Sequence, residues 1–137
     1  MRFASPTALR ILALSVLASG LCAQTTSLGL GKTVQGDLSG TEARDYTVVL
    51  EANQYMRADL TQTVATVVVE LYAPDGKKLL DMNTGEFPRQ SYRIACVAEA
   101  AGEYRIRVSA PAGTANASHY EVKLEELRAA SAADRKS

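Results

Sequence analysis

Residues 64–83 read VATVVVELYAPDGKKLLDMN. In an extended chain Val67, Val69 and Leu71 fall on one side, and Val68, Glu70 and Tyr72 on the other, because successive side chains of a strand point to opposite faces. A run this apolar on both sides predicts an interior strand over Val64 to Ala73. Ala73-Pro74-Asp75-Gly76 then predicts a type I turn, in which proline presets the first corner and glycine accepts a left-handed backbone. The chain returns as Lys77 to Asn83, completing a hairpin.

Alternation of the same kind extends in both directions. Upstream, Asp45 to Glu51 sets Tyr46, Val48 and Leu50 against Thr47, Val49 and Glu51. A tight connection at Ala52, Asn53 and Gln54 follows, with asparagine suited to a left-handed backbone. Tyr55 to Thr63 then sets Met56, Ala58 and Leu60 against Arg57, Asp59 and Thr61. Downstream, Asn83 to Gln90 holds Gly85, Phe87 and Pro88 and reads as a loop. Ser91 to Ala98 resumes an extended run with Tyr92, Ile94 and Cys96 on one face. The turn at positions 100–102 leads into Tyr104, Ile106 and Val108, which predicts a second hairpin. After a small-residue loop from Ala110 to Ser118, Tyr120, Val122 and Leu124 face inward while Glu121, Lys123 and Glu125 face water. Turn residues recurring at roughly eight to twelve positions predict an all-β protein. The expected architecture is a single antiparallel β-sandwich, jelly-roll-like, of about seven to nine strands spanning residues 24–127. From Arg128 onward alanine, serine and charge carry no apolar face, which predicts a disordered tail or a truncated helical one over 128–137.

The first residues follow a different pattern. Arg2 and Arg10 precede the apolar run Ile11 to Leu17, and small residues lead up to Gln24, the form of a secretory signal peptide over 1–23. The apolar stretch Ile11 to Leu21 covers 11 residues, against the about 20 of a spanning helix. Cleavage is expected after Ala23, with the bond after Cys22 as the alternative. Acylation of Cys22 is disfavoured by the bulky Leu21 before it. The processed chain is then secreted or periplasmic, with no membrane segment left after signal cleavage. It keeps 114 residues, with 13 Lys plus Arg against 15 Asp plus Glu, a net charge of −2. With both signs interleaved, it lacks the clustered basic face that nucleic acid requires. Cys96 is its one cysteine, so no internal disulfide can form.

Few residues suggest chemistry. His119 is the only histidine, too few for a multi-histidine metal site. Cys96 shares a face with Tyr92 and Ile94 and reads as a small hydrophobe rather than a nucleophile. A Cys–His dyad would require a particular strand pairing, and no Gly-x-Ser-x-Gly elbow is present. The expectation is therefore no catalytic residues, no cofactor and no metal site. Asp37, Asp45, Asp75, Asp81 and Glu86 lie in or beside turns, where calcium ligands gather, but without EF-hand spacing. Asn116-Ala117-Ser118 fits the glycosylation pattern and reads as loop chemistry. Carbohydrate binding would need exposed aromatics. Tyr46, Tyr92, Tyr104 and Tyr120 share parity with aliphatic neighbours, leaving Tyr55, Tyr72 and Phe87. With Asp75, these three form the candidate ligand surface. Cross-strand packing of Tyr55 and Tyr72 beside Arg57, Glu70 and Arg105 is the simpler role.

Four stretches, ANQYMRADLTQT (52–63), VVVELYAPDGKKLLDMN (67–83), AEAAGEYRIRVSA (98–110) and YEVKLEELRAASAADR (120–135), carry a resemblance. Their order and spacing resemble the N-terminal module of secreted, often acidobacterial, proteins. In those proteins a sandwich related to bacterial pre-peptidase C-terminal domains precedes tetratricopeptide repeats and sometimes a CHAT protease-like domain. The likeness covers Leu30 to Arg135, with Asn53 standing where the pattern has glycine, and with Ser137 reached where relatives run on into repeats. It implies a non-catalytic accessory module, with no catalytic residue to carry over. The expected partner is a protein or a neighbouring domain, through protein–protein or envelope interaction. A glycan or calcium ion is the alternative ligand.

Overall fold

Alternating sequence becomes two packed layers. The computed structural model describes residues 24–39, 42–84, 89–111 and 117–136. They form β1 (Gln24–Ser27), β2 (Thr33–Leu38), β3 (Ala43–Leu50), β4 (Gln54–Val64), β5 (Val68–Tyr72), β6 (Lys78–Asn83), β7 (Ser91–Val97), β8 (Gly102–Ser109), β9 (Ser118–Ala129) and α1 (Ala132–Arg135). A five-stranded sheet has the order β1-β3-β8-β5-β6, and a four-stranded sheet the order β2-β9-β4-β7. Every ladder is antiparallel except that of β1 on β3, which is parallel. The expected signal peptide, Glu86, Phe87 and Asn116 lie outside the described residues.

The inward set of each strand makes the core. Tyr46, Val48 and Leu50 of β3, Met56, Ala58 and Leu60 of β4, Tyr104, Ile106 and Val108 of β8, and Tyr120, Val122 and Leu124 of β9 are all buried. Burial of each large apolar side chain stabilises the fold by about 1.5–3 kcal/mol before the cost of ordering the chain. Between the layers, the hydroxyls of Tyr46 and Tyr120 lie 2.6 Å apart. Gly36 on β2 makes room for this: a Cβ there would stand 2.3 Å from Tyr120 ring and hydroxyl atoms.

The turn at 73–76 forms as its residues predict. Gly76 has φ +89° and its N–H donates to the Ala73 carbonyl at 2.9 Å, while the Ala73 N–H donates to the Lys77 carbonyl at 2.8 Å. Asn53 adopts φ +69°. Val64, however, ends β4 rather than starting β5. A register shift at Gln62/Val64 and a left-handed Ala65 (φ +60°) turn the chain out of one sheet. The other sheet receives it through a clamp, in which the Val67 N–H donates to Thr84 Oγ1 and the Thr84 N–H donates to the Val67 carbonyl.

The second predicted hairpin does not exist. β7 pairs with β4, whereas β8 pairs with β3 and β5 in the opposite layer. The small residues at 98–101 encode a reversal of direction, but pairing is decided by partners far away in sequence. The Tyr104 hydroxyl fixes the crossing by donating to the Ala100 carbonyl, four residues upstream, at 2.9 Å. This is the device of the tyrosine corner.

On the outer face of the five-stranded sheet, Asp45, Arg107, Glu70 and Asp81 form a row across four strands. Arg107 holds Asp45 with two bonds, Nε to Oδ1 at 2.8 Å and Nη2 to Oδ2 at 3.1 Å. The Asp45 side chain is only 6% exposed. Beyond Leu127, β9 carries through Arg128 and Ala129, and Ser131 then caps α1. Ser131 Oγ accepts from the Asp134 N–H, and the Asp134 carboxylate accepts from the Ser131 N–H, a complete capping box.

Candidate functional site

The four residues singled out from the sequence do not share one surface. Tyr72 lies on the outer face of the five-stranded sheet, in register with Arg105. The Arg105 guanidinium sits 4.8 Å from its ring centroid, within cation–π range. The Tyr72 hydroxyl donates to Glu70 Oε2 at 2.6 Å, and Lys78 Nζ lies 2.8 Å from the same carboxylate. Lys78 and then Tyr72 hold the Glu70 carboxyl below its usual range, and the bond to Glu70 raises the Tyr72 hydroxyl. Tyr55 belongs to β4, on the outer face of the other sheet. Arg128 covers its ring at 4.4 Å and is itself tied to Asp134 at 2.6 Å. Each ring thus has a cation on one face, and the two face opposite sides of the molecule. Asp75 spends one carboxylate oxygen on its turn, accepting from the Lys77 N–H at 2.9 Å. Phe87 lies outside the described residues.

Asp75 does border a concave site that residue counting missed. The edges of the two sheets, β6 and β7, lie on the same side of the sandwich, and between them opens a cleft of about 400 Å³. Pro74, Leu79, Cys96, Val97 and Tyr104 give it an apolar lining, while Asp75, Lys77 and Glu99 contribute charge. Leu79 is 41% exposed. The adjacent pair Leu79–Leu80 is the signal that the sequence offered, since neighbours in a strand cannot both face the core. Gly102 lets the start of β8 approach the turn, because a Cβ there would meet Pro74 at 2.6 Å. On the outer flank of β7 a second groove of about 430 Å³ lies among Tyr55, Arg93, Ala95, Val97 and α1.

Cys96 and His119, the two side chains a dyad would use, are held apart. Burial pushes the Cys96 thiol up to about 11, so the nucleophilic thiolate is scarce at neutral pH. Cys96 pairs with Met56, which pairs with Leu127 on β9. His119 lies eight positions earlier on that strand, roughly 25 Å away at strand spacing. The structure therefore separates the pair a dyad would need. His119 Nδ1 instead meets Asp37 across the β2–β9 ladder. The acids considered for calcium are dispersed in the same way: Asp37 to His119, Asp45 to Arg107, Asp75 to its turn and Asp81 to Lys78. Among the described residues no three His, Cys, Asp or Glu side chains converge to hold a metal ion, and no helix is long and apolar enough to cross a membrane.

No known family profile matches the sequence, and no curated protein matches it. Solved structures do resemble the fold. A periplasmic inhibitor of g-type lysozyme, PliG from Aeromonas hydrophila, superposes with a TM-score of 0.51 at 16% identity, over 76% of this chain and 100% of that one. The pre-peptidase C-terminal domain of a collagenase from Bacillus anthracis superposes with a TM-score of 0.50 at 14% identity, over 76% and 97%. At identities this low the likeness is one of architecture alone: the chain is a two-sheet β-sandwich.

Proposed function

We propose that the chain is a non-catalytic protein-interaction module that works outside the cytoplasm once residues 1–23 are removed, and that it binds through the end of the sandwich between β6 and β7. The observation that carries this is the apolar cleft of about 400 Å³ with Leu79 at its mouth. An exposed large aliphatic side chain beside a concave apolar lining is the chemistry of a protein contact rather than of a sugar or an ion. Sugar stacking is disfavoured by the separation of Tyr55 from Tyr72 and by the guanidinium on each ring. The resemblance to accessory modules of larger secreted proteins supports the same reading, and a repeat-containing or catalytic neighbour is one proposed partner.

The test is retention of a specific partner from envelope or secreted fractions by the processed protein. Purified g-type lysozyme serves as one defined arm. Leu79→Asp should abolish retention while leaving Tm nearly unchanged, since the side chain is already partly in water. The reading fails if Leu79→Asp retains the same partner with equal affinity. It also fails if calcium raises Tm and Asp75→Ala removes the rise, or if turnover is found that Cys96→Ala abolishes.

A further inference from the structure

A sheet edge is a row of unpaired donors and acceptors, and proteins guard such rows with shortness, charge, proline or bulges. Three of the four edges here carry such guards. β1 has four residues, β2 carries Gly36 and the exposed Asp37, and β6 is irregular opposite Tyr72 and bears Lys78 and Asp81. β7 is different. It is seven residues long, pairs with β4 in unbroken register from Ser91 to Val97, and carries no proline or bulge, with Arg93 its one charged residue. Its other side is hydrogen-bonded to no strand among the described residues.

The groups that face outward follow from the bonds at the ends of this ladder. The Ala98 N–H donates to the Gln54 carbonyl, and the Gln90 carbonyl accepts from the Gln62 N–H. Bonded pairs alternate in an antiparallel ladder, so the even-numbered residues of β7 bond to β4. The N–H and C=O groups of Arg93, Ala95 and Val97 therefore point away from the sheet. Concave surface flanks both sides of this row. The inner flank is the apolar cleft with Leu79 and Cys96, and the outer flank is the groove holding Arg93 and Arg135. Arg93 is exposed and has no acidic partner among the described residues.

We infer that the β7 edge is a strand-addition site for an extended segment of a partner protein in which apolar residues alternate with Asp or Glu. Main-chain bonds to Arg93, Ala95 and Val97 hold the segment. Its apolar side chains enter the cleft beside Leu79 and Cys96, and its carboxylates meet Arg93 and Arg135. This rests on the interaction reading above and names the chemistry of the partner.

The probe is a nine-residue peptide of alternating valine and glutamate, with a valine–lysine peptide as its control, titrated into the processed protein. The expected result is saturable binding of the glutamate peptide with slowed hydrogen exchange at Arg93, Ala95 and Val97. Affinity should fall at least tenfold for the lysine peptide, and at least tenfold in Ala95→Pro and in Arg93→Glu. Ala95→Pro removes an outward donor that the β4 ladder does not use. Should that variant lose its fold, backbone N-methylation of the peptide tests the same bonds and should cost as much. Strand addition is overturned, with the interaction reading intact, if β7 amides stay unprotected while Leu79→Asp still abolishes partner retention. Both are overturned if neither effect is seen. A concentration-dependent dimer with the same β7 protection and no peptide present would make the occupant a second copy, which also overturns the proposal.

Discussion

Tyr46 and Tyr120 reach toward each other from opposite sheets and share one hydrogen bond of 2.6 Å in the middle of the core, their rings edge to face at 87°. Burial raises both hydroxyls above their ordinary pKa, so both stay protonated and one must donate to the other. A buried hydroxyl deprived of its partner costs about 1–3 kcal/mol. Tyr46→Phe and Tyr120→Phe should each destabilise the protein by that amount in urea unfolding. The double variant should cost clearly less than the sum, because it leaves no orphaned hydroxyl. Strict additivity would mean that the bond contributes nothing.

Ala65 holds a left-handed backbone, φ +60°, where β4 hands the chain to β5. That conformation costs an L-residue roughly 1–2 kcal/mol, whereas glycine adopts it freely at some cost in unfolded-state entropy. Ala65→Gly is expected to raise stability by about 0.5–1 kcal/mol. A fall in Tm would show that the site is not strained.

Cys96 carries a pH dependence whose sign is fixed by burial. Its folded pKa of about 11 exceeds the unfolded value near 9. Between those values the unfolded chain gives up the proton and the folded chain keeps it, so the contribution is complete below pH 9 and is lost as pH rises through 11. The tyrosines act with the same sign, so Cys96→Ala is the comparison that isolates the thiol: its stability should decline less steeply over that range. At pH 8, alkylation of native Cys96 should run on the order of 100-fold slower than that of a free thiol. Equal rates would refute the shift.

Arg107 keeps the Asp45 carboxylate in a setting almost closed to water. Removing this cation leaves the buried carboxylate with only the more distant Arg105, 4.0 Å away, and Arg107→Ala should cost about 2–3 kcal/mol. Asp45→Asn in the same background should recover part of the loss. If it recovers none, the cost comes from the packing of the arginine stem rather than from its charge.

The inward residues of β3, β4, β5, β8 and β9 were legible because period-two alternation needs no knowledge of partners, and the Pro74-Asp75-Gly76 turn was legible because its chemistry is local. β2 escaped because Thr33–Leu38 buries only Gly36 and Leu38. The false hairpin arose from the same limit, since Ala100 and Gly102 announce a reversal but not that the chain changes layers. Tyr55 and Tyr72 looked like one platform only while their sheets were unknown. Asp45 appeared as a turn acid because its partner stands 62 positions away. The cleft was illegible for a further reason: strand order alone brings the β6 and β7 edges to one side.

Strand order also governs how the molecule comes into being. β9 lies between β2 and β4, both of which precede it in the chain, so the keystone of this layer is synthesised after the strands it joins. A nascent polypeptide lacking Ser118–Ala129 has β2 and the β4–β7 pair with nothing between them. Acquisition of the native state is therefore deferred until synthesis has passed Ala129, and closure of such distant pairings proceeds slowly, over milliseconds to seconds. The polypeptide remains threadable up to that point, and a cut within β9 dismantles a whole layer.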